Sequence, residues 1–238
     1  TLGARVVLEV QPALLGLLEG LDGADQVVAK GQPLPDFDCH CPLLSLPLAL
    51  GTTLATLPSS KPYLSAPAHK VVQWAQRLGP KTRPRVGLVW SGNAAHKNDR
   101  NRSLTLAELV VHLPEAFDYI SLQKEFRPDD LHTLEQHPHI LRLDQEIQDF
   151  TDTAALCELI DVVISVDTSV AHLAGALGRP VWMALTLNPD WRWMLERSDS
   201  PWYDTVTLYR QKVSGQWGPV LDRMAADLNR LAAGGCAA

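Results

Sequence analysis

The feature that most constrains this 238-residue chain is an alternation of strand-like and helix-like segments that starts at Arg85 and runs to Leu185. The strand-like runs are "RVGLVW" (Arg85–Trp90), "DYISLQ" (Asp118–Gln123), "HILRLD" (His139–Asp144), "DVVISVD" (Asp161–Asp167) and "PVWMAL" (Pro180–Leu185). Between them stand "LTLAELVVHL" (Leu104–Leu113), "PDDLHTLEQH" (Pro128–His137), "DTAALCELI" (Asp152–Ile160) and "SVAHLAGALG" (Ser169–Gly178), each with helical apolar spacing. Near-continuous β-branched runs suit strands covered on both faces, and strands that alternate with helices pair in parallel through right-handed crossovers. The expectation is an α/β fold with a five-strand Rossmann-like series in this part. No repeat period points to a solenoid.

The first part carries the same pattern in shorter units. "ARVVLEV" (Ala4–Val10), "QPALLGLLEGL" (Gln11–Leu21) and "DQVVAK" (Asp25–Lys30) read as strand, helix and strand. From Gly31 to Pro67 the prolines at 33, 35, 42, 47, 58, 62 and 67 prevent long helices and leave apolar segments such as "LLSLPLAL" (Leu43–Leu50). "APAHKVVQWAQRLG" (Ala66–Gly79) predicts an amphipathic helix ending at its glycine, and "PKTRPR" (Pro80–Arg85) a linker. The division expected is therefore a partial N-terminal lobe over 1–79, a linker over 80–84 and a C-terminal lobe over 85–238. The chain opens on "TLGARVVLEV", without Met, as though inside a domain. The N-terminal lobe is expected to be truncated.

Composition removes several classes. A formal net charge of -6 argues against a nucleic-acid surface, which needs clustered Lys and Arg. There is no apolar run of membrane-spanning length and no charged-then-apolar leader pattern, so the expectation is a cytoplasmic protein. Cys39, Cys41, Cys157 and Cys236 show no framework spacing. "DCHC" (Asp38–Cys41) resembles a metal hook, but no second Cys/His pair of zinc-like spacing follows it, and no metal site is expected.

In an open parallel sheet, ligands sit beyond the carboxyl ends of the strands, where the next helices present their N-termini. Asp167, Thr168 and Ser169 stand at such an end. A helix N-terminus offers unpaired N–H groups and a partial positive charge, a natural seat for a diphosphate. The same residues would also serve as ordinary helix caps. His172, one turn further on, either faces the same space or packs, and the small residues Ala171, Ala174, Gly175 and Ala176 let its helix lie close to the sheet. After the first strand of the series, "WSGNAAHKNDRNRS" (Trp90–Ser103) gathers Asn93, His96, Lys97, Asn98, Arg100, Asn101 and Arg102. Lys supplies a mobile point charge and Arg a planar fork, both suited to phosphate oxygens, although a solvated loop would read alike. The ends "SLQK" (Ser121–Lys124) and Asp152-Thr153 add polar edges to the same rim. Neither a glycine-rich dinucleotide fingerprint nor a Walker lysine motif is present, which disfavours nicotinamide enzymes and P-loop ATPases.

"GLVWSGNAAHKNDRNRS", "DVVISVDTSVAHLAGALGRPVW" and "PDWRWMLERSDSPWY" together resemble the C-terminal glycosyltransferase-like domain of bacterial tetratricopeptide-repeat proteins. More distantly they are similar to the heptosyltransferases and the O-linked N-acetylglucosamine transferases. The resemblance implies a GT-B architecture, two Rossmann-like lobes facing across a cleft, with a nucleotide-sugar held by the C-terminal lobe and the acceptor by the N-terminal one. It implies a nucleoside diphosphate sugar as donor, a UDP-sugar first among them, no cofactor beyond that donor, a protein or glycan acceptor, and helical repeats upstream. On this sequence it sets Asp167, Thr168 and Ser169 at the diphosphate, with His172 beside them, and Lys97 at the leaving group with Ser91, Asn93 and Arg102. Gln123 and Lys124 would lie near the base, Asp152 near the ribose or base edge, and Asp190 and Arg192 of "PDWRW" on the cleft rim, whose tryptophans would equally serve packing.

The chemistry implied is transfer of a sugar to a hydroxyl, in which charge grows on the departing diphosphate. Preplaced cations and a helix N-terminus stabilise that charge in the transition state. A general base would come from the first lobe, where Asp38 and His40 are the candidates, with local turn and cap chemistry as their other reading. The alternative function is a non-catalytic nucleotide-sugar-binding or interaction module on the same scaffold, since fold alone does not separate the two.

Overall fold

The structure, a computed structural model, describes residues 3–57 and 61–234; Cys236 lies outside them. The N-terminal part contains β1 (Val7–Val10), α1 (Leu15–Leu18), β2 (Gln26–Ala29), α2 (Leu46–Ala49) and α3 (Ala68–Leu78). Then follow β3 (Arg85–Val89), α4 (Asp99–Arg102), α5 (Leu106–Val110), β4 (Asp118–Ser121), α6 (Pro128–Gln136) and β5 (Ile140–Arg142). The chain continues through α7 (Phe150–Glu158), β6 (Val162–Val166), α8 (Ser169–Ala176), β7 (Val181–Leu185), β8 (Val206–Arg210) and α9 (Gly218–Ala232).

The strands form two sheets, β1-β2 and a six-stranded sheet of order β5-β4-β3-β6-β7-β8, and all their pairings are parallel. The expectation of five strands after Arg85 is thus one short, because β8 adds an edge strand beside β7. The central strands are apolar throughout because side chains alternate between two covered faces. Val86 and Leu88 belong to a core with Leu106 and Leu109 of α5 and Val220, Leu221 and Met224 of α9. Val89, Val163 and Met183 belong to the opposite core, with Ala154 and Leu156 of α7 and Ala171 and Ala174 of α8. Within that second core an added Cβ on Gly87 would come within 2.9 Å of Leu122 and 3.1 Å of Ile160, so the strand carries no side chain there.

Several helices end where local chemistry stops them. The helix expected over Gln11–Leu21 becomes a 3-10 turn at Pro12–Leu14 and the single turn α1, since Pro12 opens it and Gly20 takes a φ of 87°. The helix expected from Leu104 starts at Leu106, because Thr105 is its cap: Glu108 N donates to Thr105 Oγ1 at 3.2 Å and Thr105 N donates to Glu108 Oε2 at 3.0 Å.

The chain crosses between the two sheets through a few specific contacts. Tyr63 N and Leu64 N both donate to Ala176 O, at 3.1 and 3.2 Å, at the end of α8. Gly178 (φ +69°) makes this approach feasible, since a Cβ there would lie 2.4 Å from Pro62 Cγ. α3 packs on α7 and the segment before it: Lys70 Nζ and Trp74 Nε1 donate to Asp152 Oδ1 at 2.7 and 2.9 Å, and Arg77 forks onto Glu146, between β5 and α7, at 2.6 and 2.7 Å. Trp74, 4% exposed, enters the same core as α7 and α8. The segment before the crossing is covered far less: Phe37 is 56%, Leu44 76% and Leu48 88% exposed. Among the described residues, no helix is long and apolar enough to cross a membrane.

Candidate functional site

Strand order places the site. From β3 the chain proceeds to β4 and β5 on one side, and β6, β7 and β8 lie on the other, so the order reverses between β3 and β6. At such a switch point the loops leaving two neighbouring strands part to opposite faces and open a crevice. Val89 pairs with Ser165, which sets the segment from Trp90 beside the segment from Asp167. The two polar stretches that stand out in the sequence therefore meet at one place.

A cavity of about 400 Å³ opens there, lined by His96, Asn98, Arg102, Asp167, Thr168, Ser169, His172, Thr186, Asp190 and Arg192 among others. Its floor is Arg102, which reaches across the switch point: Nη1 donates to Asp167 O at 2.8 Å and Nε lies 3.6 Å from Asp99 Oδ1. Gly92 is required for this crossing, as a Cβ on it would stand 2.3 Å from Arg102 Nη2. Asp99 in turn is buried and accepts from Ser103 Oγ at 2.7 Å and Arg127 Nη2 at 2.5 Å. A buried carboxylate held by two guanidinium groups makes the floor rigid, and Arg102 Nε is a buried donor without a hydrogen-bond partner.

One wall is the start of α8. Thr168 is in the cap position with extended backbone, yet its hydroxyl lies 2.9 Å from Ser165 Oγ and no side chain caps the helix. No acidic residue occupies the first turn, so the partial positive charge of α8 faces the cavity beside exposed Ser169. Asp167 at the preceding position is a half-buried carboxylate. Burial pushes it up, but the neighbouring His172 and Trp193 ring N–H groups and the Arg102 charge together hold it below the usual carboxylate range. His172 Nε2 is 3.6 Å from Asp167 Oδ1.

The opposite rim comes from the segment after β7. Asp190 Oδ1 accepts from Arg192 N at 3.1 Å and from Arg192 Nη1 at 2.8 Å, so Asp190 caps the 3-10 turn Trp191–Trp193 and orients the arginine. The following residues Met194 (φ 53°) and Glu196 (φ 59°) adopt left-handed backbone, which costs on the order of 1 kcal/mol or more for each side-chain-bearing residue. Arg210 at the end of β8 holds that turn closed by donating to Arg197 O at 2.7 Å, Met194 O at 3.0 Å and Trp193 O.

A second cavity, of about 640 Å³, lies on the far side of the same loop and is lined by Lys97, Arg100, Glu108, Arg127 and Trp217, with His96 shared. Lys97 lines this one and is absent from the lining of the switch-point cavity. Asn93 accepts from Ala95 N at 2.8 Å and shapes the loop.

Other residues of the expected rim serve the fold. Gln123 is buried and joins the ends of β3 and β4, with Nε2 donating to Ser91 O at 2.9 Å and Oε1 accepting from Ser91 N at 3.3 Å. Ser91 is itself 3% exposed. Lys124 Nζ donates to Asp144 O at 2.6 Å and Ile147 O at 2.5 Å. Asp152 does not reach the cavity: Lys70 and Trp74 occupy one oxygen, and Gln148 N donates to the other at 2.9 Å. Its carboxyl sits low, the bonds from Lys70, Gln148 and Trp74 outweighing burial. Asp38 and His40 are exposed and line neither cavity; His40 meets the Phe37 ring edge-on at 6.1 Å. Cys39 and Cys41 are exposed and unbridged, while burial pushes the Cys157 thiol up to about 12. No group of three metal-ligating side chains occurs among the described residues.

Asp99, Arg127, Trp193 and Tyr203 complete the site and were not singled out by spacing. Their partners lie 28 to 31 residues away in two of the contacts that matter, Arg127 with Asp99 and Tyr203 with His172.

Comparison with solved structures agrees with this topology. The chain superimposes on E. coli ADP-heptose LPS heptosyltransferase II with a TM-score of 0.63 at 13% identity, covering 98% of this chain and 91% of that one. The fold is GT-B-like. A second neighbour, the C-terminal domain of the group 1 glycosyl transferase LpcC from Francisella tularensis, gives a TM-score of 0.42 at 16% identity over 69% of this chain and 86% of that one. By sequence, the chain is 30% identical over 197 residues to protein FlbA of Caulobacter vibrioides, which covers 78% of this chain. The chain spans 32% of the length of FlbA. No family model matches it.

Proposed function

We propose that this chain is a glycosyltransferase-like domain that seats a nucleoside diphosphate sugar in the switch-point cavity and transfers its sugar to a hydroxyl, without a metal. The observation that carries the reading is the convergence of Arg102, the uncapped start of α8 and Arg192 on one cavity at the switch point of a GT-B-like fold. A heptosyltransferase named for an ADP-sugar shares that fold. The bond from the sugar anomeric carbon to the diphosphate oxygen breaks, the acceptor oxygen forms the new bond, and its proton leaves to a base. Negative charge then collects on the diphosphate, where Arg102 and α8 are already in place and need no reorganisation. The leaving-group role suggested for Lys97 passes in this reading to Arg102, which lines the cavity where Lys97 does not. A UDP-sugar donor, a protein or glycan acceptor, helical repeats upstream and a cytoplasmic setting belong to the same proposal, as does a contribution of the N-terminal lobe to the acceptor side.

A second reading, nucleotide-sugar binding without turnover, is favoured by one observation. The base candidates Asp38 and His40 stand exposed outside the lining of the cavity. Calorimetric titration with UDP, ADP, GDP and CDP tests the common part. One nucleoside diphosphate, UDP first, is expected to bind, and Ser169→Glu to weaken it; no binding by the folded protein overturns the proposal. Release of free nucleoside diphosphate from the matching sugar nucleotide then selects the first reading, and binding with no release selects the second.

A further inference from the structure

His172 is held by three neighbours. Its Nδ1 lies 3.0 Å from the Tyr203 hydroxyl, its Nε2 lies 3.6 Å from Asp167 Oδ1, and its ring stacks on Trp193 with centroids 5.0 Å apart and planes 28° apart. Tyr203 is admitted by Gly175, since a Cβ there would sit 2.7 Å from Tyr203 Cγ. Gly175 follows His172 by three residues on α8, so both present the same helix face. The glycine in "AHLAGA" therefore has a purpose beyond close packing on the sheet.

A neutral imidazole carries one N–H and one lone pair, and its two neighbours decide which nitrogen holds the proton. With the proton on Nδ1, the Nε2 lone pair would face the Asp167 carboxylate, two negative ends opposed. With the proton on Nε2, the Tyr203 O–H donates to Nδ1 and the Nε2–H faces the carboxylate. The Tyr203 hydroxyl serves either arrangement and anchors the ring, and the Asp167 carboxylate, which cannot donate, selects the second. Burial, with Tyr63 alongside, pushes the Tyr203 phenol up, so it keeps its proton to donate.

We propose that Asp167 selects the Nε2–H tautomer of His172 and that Tyr203 is a positioning residue that anchors the ring, so that this N–H is presented to a ligand oxygen in the switch-point cavity. At 3.6 Å Asp167 guides the N–H without saturating it. His172 is then a hydrogen-bond donor to the ligand, and its Nε2 does not take the acceptor's proton. The identity of the ligand oxygen, phosphate or sugar, rests on the donor-site reading; the tautomer does not.

The test is long-range 1H–15N correlation of protein labelled at histidine ring nitrogens, at a pH where the rings are neutral, with His172→Gln to assign the signal. The unaltered chain is expected to show His172 protonated on Nε2. Asp167→Asn, whose amide can donate or accept, is expected to give a mixture of tautomers, and Tyr203→Phe, which retains the ring, a UDP affinity lowered about three- to tenfold, the size of one lost hydrogen bond. A proton on Nδ1 in the unaltered chain, or an unchanged tautomer in a folded Asp167→Asn, overturns the proposal. The tautomer of the unaltered chain is read without nucleotide, even if either variant fails to fold. Failure of the unaltered chain to bind UDP counts against the donor reading, and the wrong tautomer against this one.

Discussion

Two cavities flank the loop between β3 and α5 and share the wall made by His96, yet they are built on different plans. The larger, about 640 Å³, carries Lys97, Arg100 and Arg127, but these side chains project from the loop and its surroundings, and Arg127 is already paired with Asp99. The smaller, about 400 Å³, lies where β3 and β6 end side by side and takes its polar groups from the end of β6, the start of α8 and the segment after β7, with His96, Asn98 and the anchored Arg102 from the loop. Volume and positive charge would select the first. The supply of donors held in place, Arg102 by its partners and the α8 N–H groups by the helix, selects the second, because preorganised dipoles and cations lose little to reorientation when an anion arrives. The lesson is that a cation's value to a site depends on what fixes it. Arg102 is fixed by Asp99, Asp167 and Gly92, whereas Lys97 makes no salt bridge among the described residues.

Substitutions on the two sides sharpen or break this contrast. Arg102→Ala removes the floor, and nucleoside diphosphate affinity is expected to fall by about 10- to 100-fold, with a stability loss of roughly 1–3 kcal/mol from the unpaired neighbours. Calorimetry and thermal unfolding read the two effects separately. Ser169→Glu places a carboxylate at the start of α8; binding should drop about tenfold while stability holds or gains about 0.3–1 kcal/mol from the helix dipole. Opposite signs in binding and melting temperature would be hard to obtain from a merely damaged fold. Gly92→Ala pushes Arg102 aside and is expected to cost several-fold in affinity, about 1 kcal/mol in binding free energy. At the larger cavity, Lys97→Ala should alter nucleoside diphosphate affinity by less than about twofold, with stability unchanged within about 0.5 kcal/mol. A larger loss for Lys97→Ala than for Gly92→Ala would reverse the ranking of the two cavities.

Much of the fold was legible in the sequence, whereas the contrast between the cavities was not: Lys97 and Arg102 stand in one polar loop, and local spacing does not tell which cavity each enters. β3 to β7 could be read because strands covered on both faces are apolar at nearly every position, as in "VVISV" at Val162–Val166, which is buried throughout. β8 escaped because it is an edge strand whose Thr207 and Arg210 are only partly covered, so its run is interrupted. α9 carries a clear helical stripe at Val220, Leu221, Met224 and Leu228, which completes the core over β3 and β6. The polar loops after β3 and β6 were visible as loops, and strand order brings them together. Asp152 was read as part of the rim from its place at the start of a helix; its partner Lys70 is 82 residues earlier, and no local signal discloses such a pair. Tyr203 and His172 illustrate the same limit at 31 residues. Local spacing reveals which groups are polar, and only the folded chain decides which of them are already satisfied.

The most direct measurement of the central claim is amide chemical-shift mapping with the nucleoside diphosphate that binds in the calorimetric series. The account predicts that the largest shifts fall at Gly92, Arg102, Thr168–His172 and Arg192, around the switch point. Largest shifts at Lys97, Arg100, Arg127 and Trp217, with α8 undisturbed, would place the ligand in the other cavity and contradict the account.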